Sequence, residues 1–173
     1  MLRWHDHQVT EDELIHFIAG LPGVAAVTAS EADGAPEVAW GDSLFFYDPE
    51  DVPAERKFPF ATIVTKDYDG FDMASNLNRP GIYRLNLAVG RVRFGELVGY
   101  PPAQHAAHEE DFDYSALDCV LPHPVYAAQA WVSILNPSDK TSGLARSLIV
   151  EAHRRAAERH RPRRRRAGIT DPP

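Results

Sequence analysis

Ile82-Tyr83-Arg84-Leu85-Asn86-Leu87-Ala88-Val89 is the stretch whose reading decides the fold. Ile82, Arg84, Asn86 and Ala88 fall on one face, and Tyr83, Leu85, Leu87 and Val89 on the other. A period of two with one apolar face is the pattern of a half-buried strand. Such alternation belongs to antiparallel sheets, because the strands of a parallel sheet are apolar on both faces. The polar face then carries Arg84 and Asn86 two residues apart, pointing the same way.

Working outward, Ala61–Thr65 is a β-rich run, and Ala130–Leu135 reads as the last strand. Val24–Ser30, Glu37–Trp40 and Ser43–Tyr47 read as strands of a meander, the last two as one strand interrupted at Gly41-Asp42 in the alternative. Val9–Gly20 is expected to be a helix: Thr10 and Glu13 form a capping box, Leu14, Ile15, Phe17 and Ile18 supply the apolar stripe, and Gly20 and Pro22 end it. Arg91–Val98 reads as a short helix stopped by Gly99 and Pro101. A final helix, capped by Ser138 or Thr141, runs to about Arg159 with Leu144, Leu148, Ile149 and Ala152 on its apolar face. Between these lie a loop at Asp48–Phe60 and a polar connection at Lys66–Gly81 with a helical turn near Phe71–Leu77. Pro102–Asp111 is expected to be mobile, Phe112–Val120 to form a helical turn, and Pro122-His123-Pro124 to be extended. The connections are mostly too short for parallel crossovers. The expected fold is therefore α+β: an antiparallel sheet of about five strands, with the N- and C-terminal helices packed on one face. The domain is placed at 9–159, between a flexible 1–8 and a disordered Arg/Pro-rich tail at 160–173.

The 173 residues suit one domain, at roughly 100–200 residues per domain. With 44% hydrophobic and 25% charged residues the chain has the means to bury a core, so wholesale disorder is not expected. One cysteine, Cys119, allows no intrachain disulfide and is expected to be a buried thiol. Met1–Thr10 lacks the apolar run of a secretory signal, and no stretch has the roughly 18 apolar residues of a membrane span. A reducing cytoplasm is the expected home. The net charge of −7 is uneven: residues 151–173 hold eight arginines against three acids, a local +5, which leaves −12 on the first 150 residues. An acidic body disfavours nucleic acid and anionic membrane as partners. Only the tail, with six arginines between Arg159 and Arg166, suits nucleic acid or an acidic protein.

Three segments carry a resemblance: Phe58-Pro59-Phe60-Ala61-Thr62-Ile63-Val64-Thr65-Lys66-Asp67, Arg79-Pro80-Gly81-Ile82-Tyr83-Arg84-Leu85-Asn86, and His123-Pro124-Val125-Tyr126 followed by Trp131-Val132-Ser133-Ile134-Leu135-Asn136-Pro137. Together they resemble an actinobacterial family of unknown function over roughly Val9 to Arg159, a resemblance that implies no activity. The end of the chain is also similar to MmcQ/YjbR-like proteins, in Tyr126, Trp131-Val132-Ser133-Ile134 and the helix Leu148-Ile149-Val150-Glu151-Ala152-His153. That similarity implies a CyaY-like α+β fold.

The chain has no Gly-rich phosphate loop, Rossmann fingerprint, HExxH, CxxC or GxSxG, so no cofactor and no reaction class is assigned. Candidate site residues come from chemistry and placement instead. Lys66, Asp67 and Asp72 lie in the long connection between two confident strands, where sites on a rigid sheet tend to sit. Lys66 can pair an anion or act as a base when buried, and the aspartates can act as bases or turn formers. Arg84 can grip a carboxylate in bidentate fashion beside Asn86. Asp42 follows Trp40 and Gly41, where an aromatic neighbour and burial would raise its pKa. His123 is held between two prolines near Tyr126, and Trp131 is either core or a ligand wall. His5 with His7, and His105 with His108, are pairs that can take adventitious metal, but no physiological metal site is expected. The expectation is a polar cleft where Lys66, Asp72, Arg84, Asn86 and His123 converge, binding or transforming a small polar molecule. Loss of Lys66 or Arg84 is expected to cost binding rather than stability. The alternative is a noncatalytic module that binds a protein or nucleic acid through its tail.

Overall fold

The computed structural model describes residues 8–50 and 58–160. His5, His7, the proline-containing 51–57 and the arginine-rich 161–173 lie outside the described residues.

Six strands form one open antiparallel sheet: β1 (Val24–Thr28), β2 (Ser43–Tyr47), β3 (Ala61–Val64), β4 (Arg84–Ala88), β5 (Val120–Pro122) and β6 (Trp131–Leu135), in the order β1-β2-β3-β4-β6-β5. The deciding stretch is β4, an inner strand that pairs Ala61–Val64 on one side and Trp131–Leu135 on the other. The helices are α1 (Glu11–Ala19), α2 (Arg91–Val98) and α3 (Ser142–His160).

The capping box forms as the sequence predicts. The Glu13 amide donates to Thr10 Oγ1 at 3.2 Å, and the Thr10 amide to Glu13 Oε2 at 2.8 Å. Leu14 and Ile18 of α1, and Ala145, Leu148, Ile149 and Ala152 of α3, enter one core with Phe45, Ile63, Leu85, Leu87, Val132 and Ile134 of the sheet. Both terminal helices therefore cover the same face. Each fully buried leucine or isoleucine there contributes about 1.5–3 kcal/mol. Val9 ties the entry of α1 to the far end of the chain: its amide donates to the Pro137 carbonyl at 2.9 Å, and its carbonyl accepts from the Tyr83 hydroxyl.

Three expectations are corrected. Glu37–Trp40 is not a strand but a 3-10 turn at Glu37–Ala39. Pro36 opens the turn, and the Lys66 ammonium takes the Glu37 and Trp40 carbonyls at 3.1 and 2.7 Å, while the indole of Trp40 closes onto the Ala35 carbonyl at 2.9 Å. Segment 112–120 is not a helical turn; it leads into a sixth strand, β5, which adds to the outer edge of β6. Pro102–Asp111 is not loose either. It folds as two short 3-10 helices around a buried His105, whose ring nitrogens meet the Tyr100 hydroxyl at 2.9 Å and the Tyr114 hydroxyl at 3.4 Å.

The sheet's second face has no helix on it among the described residues. It is covered by the 66–83 connection and by the segment around β5, through a small apolar cluster of Leu77, Leu121 and Leu135 with Val64, Ile82 and Phe112 against it. The polar half of β4 points into this cover.

Candidate functional site

Arg84 and Asn86 are both only 1% exposed, although the sequence pattern alone would leave them on a solvated face. Cross-strand partners share a face, so Asn86 stands between Thr62 of β3 and Ser133 of β6, and Arg84 between Val64 and Leu135. Burying a guanidinium demands that its charge and donors be met. Asp72 meets the charge: its Oδ1 and Oδ2 accept from Nη1 and Nη2 at 3.0 and 2.5 Å. Ser75 Oγ takes the other Nη1 hydrogen at 2.7 Å, and Asn86 Oδ1 takes Nε–H at 2.9 Å. The carboxylate that Arg84 grips is thus the protein's own. Asn86 Oδ1 also accepts from the Ser133 hydroxyl at 2.8 Å, and its amide nitrogen donates to Thr62 Oγ1 at 3.0 Å. Two donors on one oxygen fix which way the amide faces.

Asp42 is buried just after Gly41, whose φ of 89° only glycine adopts readily. Its Oδ1 accepts from the Thr65 amide at 2.9 Å, and its Oδ2 from the Tyr68 hydroxyl. Burial raises the pKa of Asp42, and the hydrogen bonds from Tyr68 and Thr65 and the Lys66 charge only partly pull it back. The Tyr68 phenol is also pushed up, first by burial and then by donating to Asp42, so it keeps its proton.

His123, between Pro122 and Pro124, turns Nδ1 onto the Val125 and Tyr126 amides, both at 3.0 Å. An acceptor Nδ1 places the ring proton on Nε2. Burial, then the positive charge of Arg84, hold the imidazole pKa well below its ordinary value, so the ring is neutral. The Tyr126 ring packs beside it at 4.9 Å.

These groups surround an open cavity of about 220 Å³. Its floor is Thr62, Arg84 and Asn86 on the sheet; Asp42, Tyr68 and Asp72 form one wall and His123 another. At the mouth stand Phe71 and Tyr126, 59% and 42% exposed, with ring centroids 6.3 Å apart. A wider groove of about 620 Å³ runs between the start of α1 and residues 77–83. Size does not make it the better site: its charged side chains, Glu11 and Arg79, are partly exposed, and Arg79 is committed to the Ser75, Asn76 and Ser115 carbonyls.

Of the eight residues singled out in the sequence, the fold brings Asp42, Asp72, Arg84, Asn86 and His123 to the cavity. Lys66, Asp67 and Trp131 are elsewhere. Lys66 holds the 37–40 turn. Asp67 shapes the loop, accepting from the Leu77 amide at 2.8 Å while its own amide donates to Asn78 Oδ1 at 3.1 Å. Trp131 lies behind the site, 6.4 Å from the His123 ring and 6.5 Å from Tyr126. Sequence reasoning missed Tyr68, Phe71, Tyr126 and Thr62. Two of these had a signal: Tyr68 and Phe71 are large aromatics in a polar Asp/Gly stretch, where such residues are expected to cover something. Pairing Ala61–Thr65 with the deciding strand in the observed register would have placed Thr62 beside Asn86. The His105–His108 pair does not act together: His105 serves two tyrosines, and His108 Nδ1 meets Asp111 Oδ2 at 2.8 Å.

Comparison with known families gives one match. Residues 9–166 fit the model of a family of unknown function, DUF6194, and the chain belongs to that family. No curated protein and no solved structure matches it.

Proposed function

We propose that this DUF6194 protein binds a small molecule in the cavity on the second face of its sheet. The observation that carries the reading is the cavity floor. Buried polar groups without partners cost several kcal/mol, so folds avoid them or satisfy them internally. Here a buried arginine, asparagine and histidine are each fixed in one orientation by neighbours, yet line an open space instead of a packed core. Fixed polar groups under an aromatic rim are the usual make-up of a ligand pocket. The volume, on the order of seven waters at liquid density, suits a fragment-sized metabolite.

The test is protein-observed NMR against a library of small polar metabolites, with Leu44→Trp as control. Leu44 lines the cavity, so tryptophan fills it from the β2 side. Binders are expected to shift Tyr68, His123 and Tyr126 together in the native chain and to lose that effect in Leu44→Trp. A copy ending at His160 separates this reading from one in which the arginine-rich segment does the binding. Cavity ligands bind both lengths equally, whereas a dependence on residues 161–173 would overturn the proposal.

A further inference from the structure

We infer that the cavity selects an uncharged planar molecule that presents a carbonyl oxygen, over a carboxylate or a cation of the same shape. The inference rests on the binding reading above and follows from counting what the buried groups have already spent. Each carboxylate and amide oxygen in the wall and floor already holds a donor: both oxygens of Asp72 hold Arg84, Asn86 Oδ1 holds Arg84 and Ser133, and Asp42 holds Thr65 and Tyr68. On the floor and the His123 wall, four donor hydrogens do not have a partner among the described residues. They are the second hydrogens of Arg84 Nη2 and Asn86 Nδ2, the Thr62 hydroxyl and the Nε2–H of His123. The free Nη2 hydrogen runs parallel to Nε–H, because the guanidinium is planar, and so it lies on the Asn86 side of the arginine. The buried groups of the site with no partner at all are these donors, and donors ask for an oxygen.

Charge decides which oxygen. The positive charge of Arg84 is cancelled by Asp72 in a bidentate pair, and the His123 ring is neutral. Asp42 adds negative charge or none. A carboxylate entering this space would leave water and find donors without net positive charge, beside Asp42; buried anions need a countercharge to repay desolvation. A cation would meet donors on the floor, and would find the Asp72 and Asp42 carboxylates already turned to Arg84, Thr65 and Tyr68. A ketone, amide or ring carbonyl meets neither penalty. Its flat body fits against the Phe71 and Tyr126 rings, which offer apolar surface to solvent at the mouth.

The experiment uses three probes of nearly one shape: acetophenone (a neutral carbonyl), benzoate (the anion) and benzamidine (the cation). Each is titrated into the full chain, following the His123 imidazole resonances. Acetophenone is expected to bind at least tenfold tighter than either ion and to move the Nε2–H proton of His123. Thr62→Val, close in shape, removes that donor hydrogen and also the acceptor that holds the Asn86 amide, and is expected to weaken acetophenone by at least about fivefold, the fold-change of one typical hydrogen bond. Its melting curve shows whether it folds. Benzoate or benzamidine binding as tightly as acetophenone overturns the selectivity while leaving the cavity a binding site. Failure of all three to shift the cavity resonances that Leu44→Trp removes overturns the selectivity and the binding reading together.

Discussion

Removing the Asp72 carboxylate tests the central claim about β4. In Asp72→Ala the backbone contacts of the loop survive, since the Tyr68 and Asp72 amides exchange hydrogen bonds at 2.9 Å without the side chain. What is lost is the partner of a guanidinium whose side chain is 1% exposed, and with it two charge-assisted bonds at 3.0 and 2.5 Å. Bonds to a charged group are worth about 1.5–3 kcal/mol each, and breaking one half of a buried ion pair costs about 3–5 kcal/mol. The two routes agree on about 3–5 kcal/mol. For a chain of this length that is a fall in Tm of about 6–20 °C, at 2–4 °C per kcal/mol. Urea denaturation followed by circular dichroism measures it directly. The double variant Arg84→Met/Asp72→Ala is expected to lose less than the single one, because methionine refills the arginine stem and leaves no charge behind. A single variant within about 1 kcal/mol of the native chain, or a double variant worse than the single, would refute the account of Arg84 as an internally neutralised floor.

Two further predictions concern structure away from the cavity. Asp118 accepts from the Ser138, Lys140 and Thr141 amides and from the Ser138 and Thr141 hydroxyls, and these bonds, against the opposing effect of its burial, hold its pKa near 2. A folded pKa below the unfolded one of about 3.9 means stability that is full above pH 4 and lost as pH falls toward 2. At this partly exposed site the loss is expected to be about 1 kcal/mol after solvent screening, and Asp118→Asn should flatten that limb of the stability–pH curve. Ala130 is buried with φ 64° and ψ 41°, a left-handed conformation that costs an alanine about 1–2 kcal/mol. Ala130→Gly should therefore stabilise by about 0.5 kcal/mol net of the extra chain entropy; a destabilised variant would show that the methyl's packing outweighs the strain.

The helices and inner strands were legible because they bury one side at a regular period. Thr10 with Glu13, the Leu14–Ile18 stripe and the alternation from Ile82 to Val89 each state a local structure and a buried face at once. The errors fall where side chains, not period, decide the backbone. Glu37–Trp40 has strand-like composition, but its carbonyls go to Lys66, twenty-odd residues away. Val120–Pro122 is too short to show a period and exists because β6 offers it an edge. At the site, sequence supplied the chemistry of Arg84, Asn86, Asp42, Asp72 and His123 but not their wiring. Nothing local says that the anion opposite Arg84 is Asp72, or that Lys66 and Asp67 point away from it. The resemblance to a family of unknown function holds at that level, by the match over residues 9–166; membership names no ligand, so the cavity has to.

The two rims of the sheet are unequal. At one end the last strand is three residues long and finishes on Pro122, followed by Pro124, residues without an amide hydrogen to offer a neighbour. At the other, Val-Ala-Ala-Val-Thr of β1 is paired on one side only among the described residues and carries no charge, and its last three residues are exposed. An edge without charge, proline or bulge is a template for further strands. Crowding or partial unfolding would therefore extend this sheet in one direction, through β1, and a single lysine at Ala26 is the gatekeeper that natural edges use to prevent it.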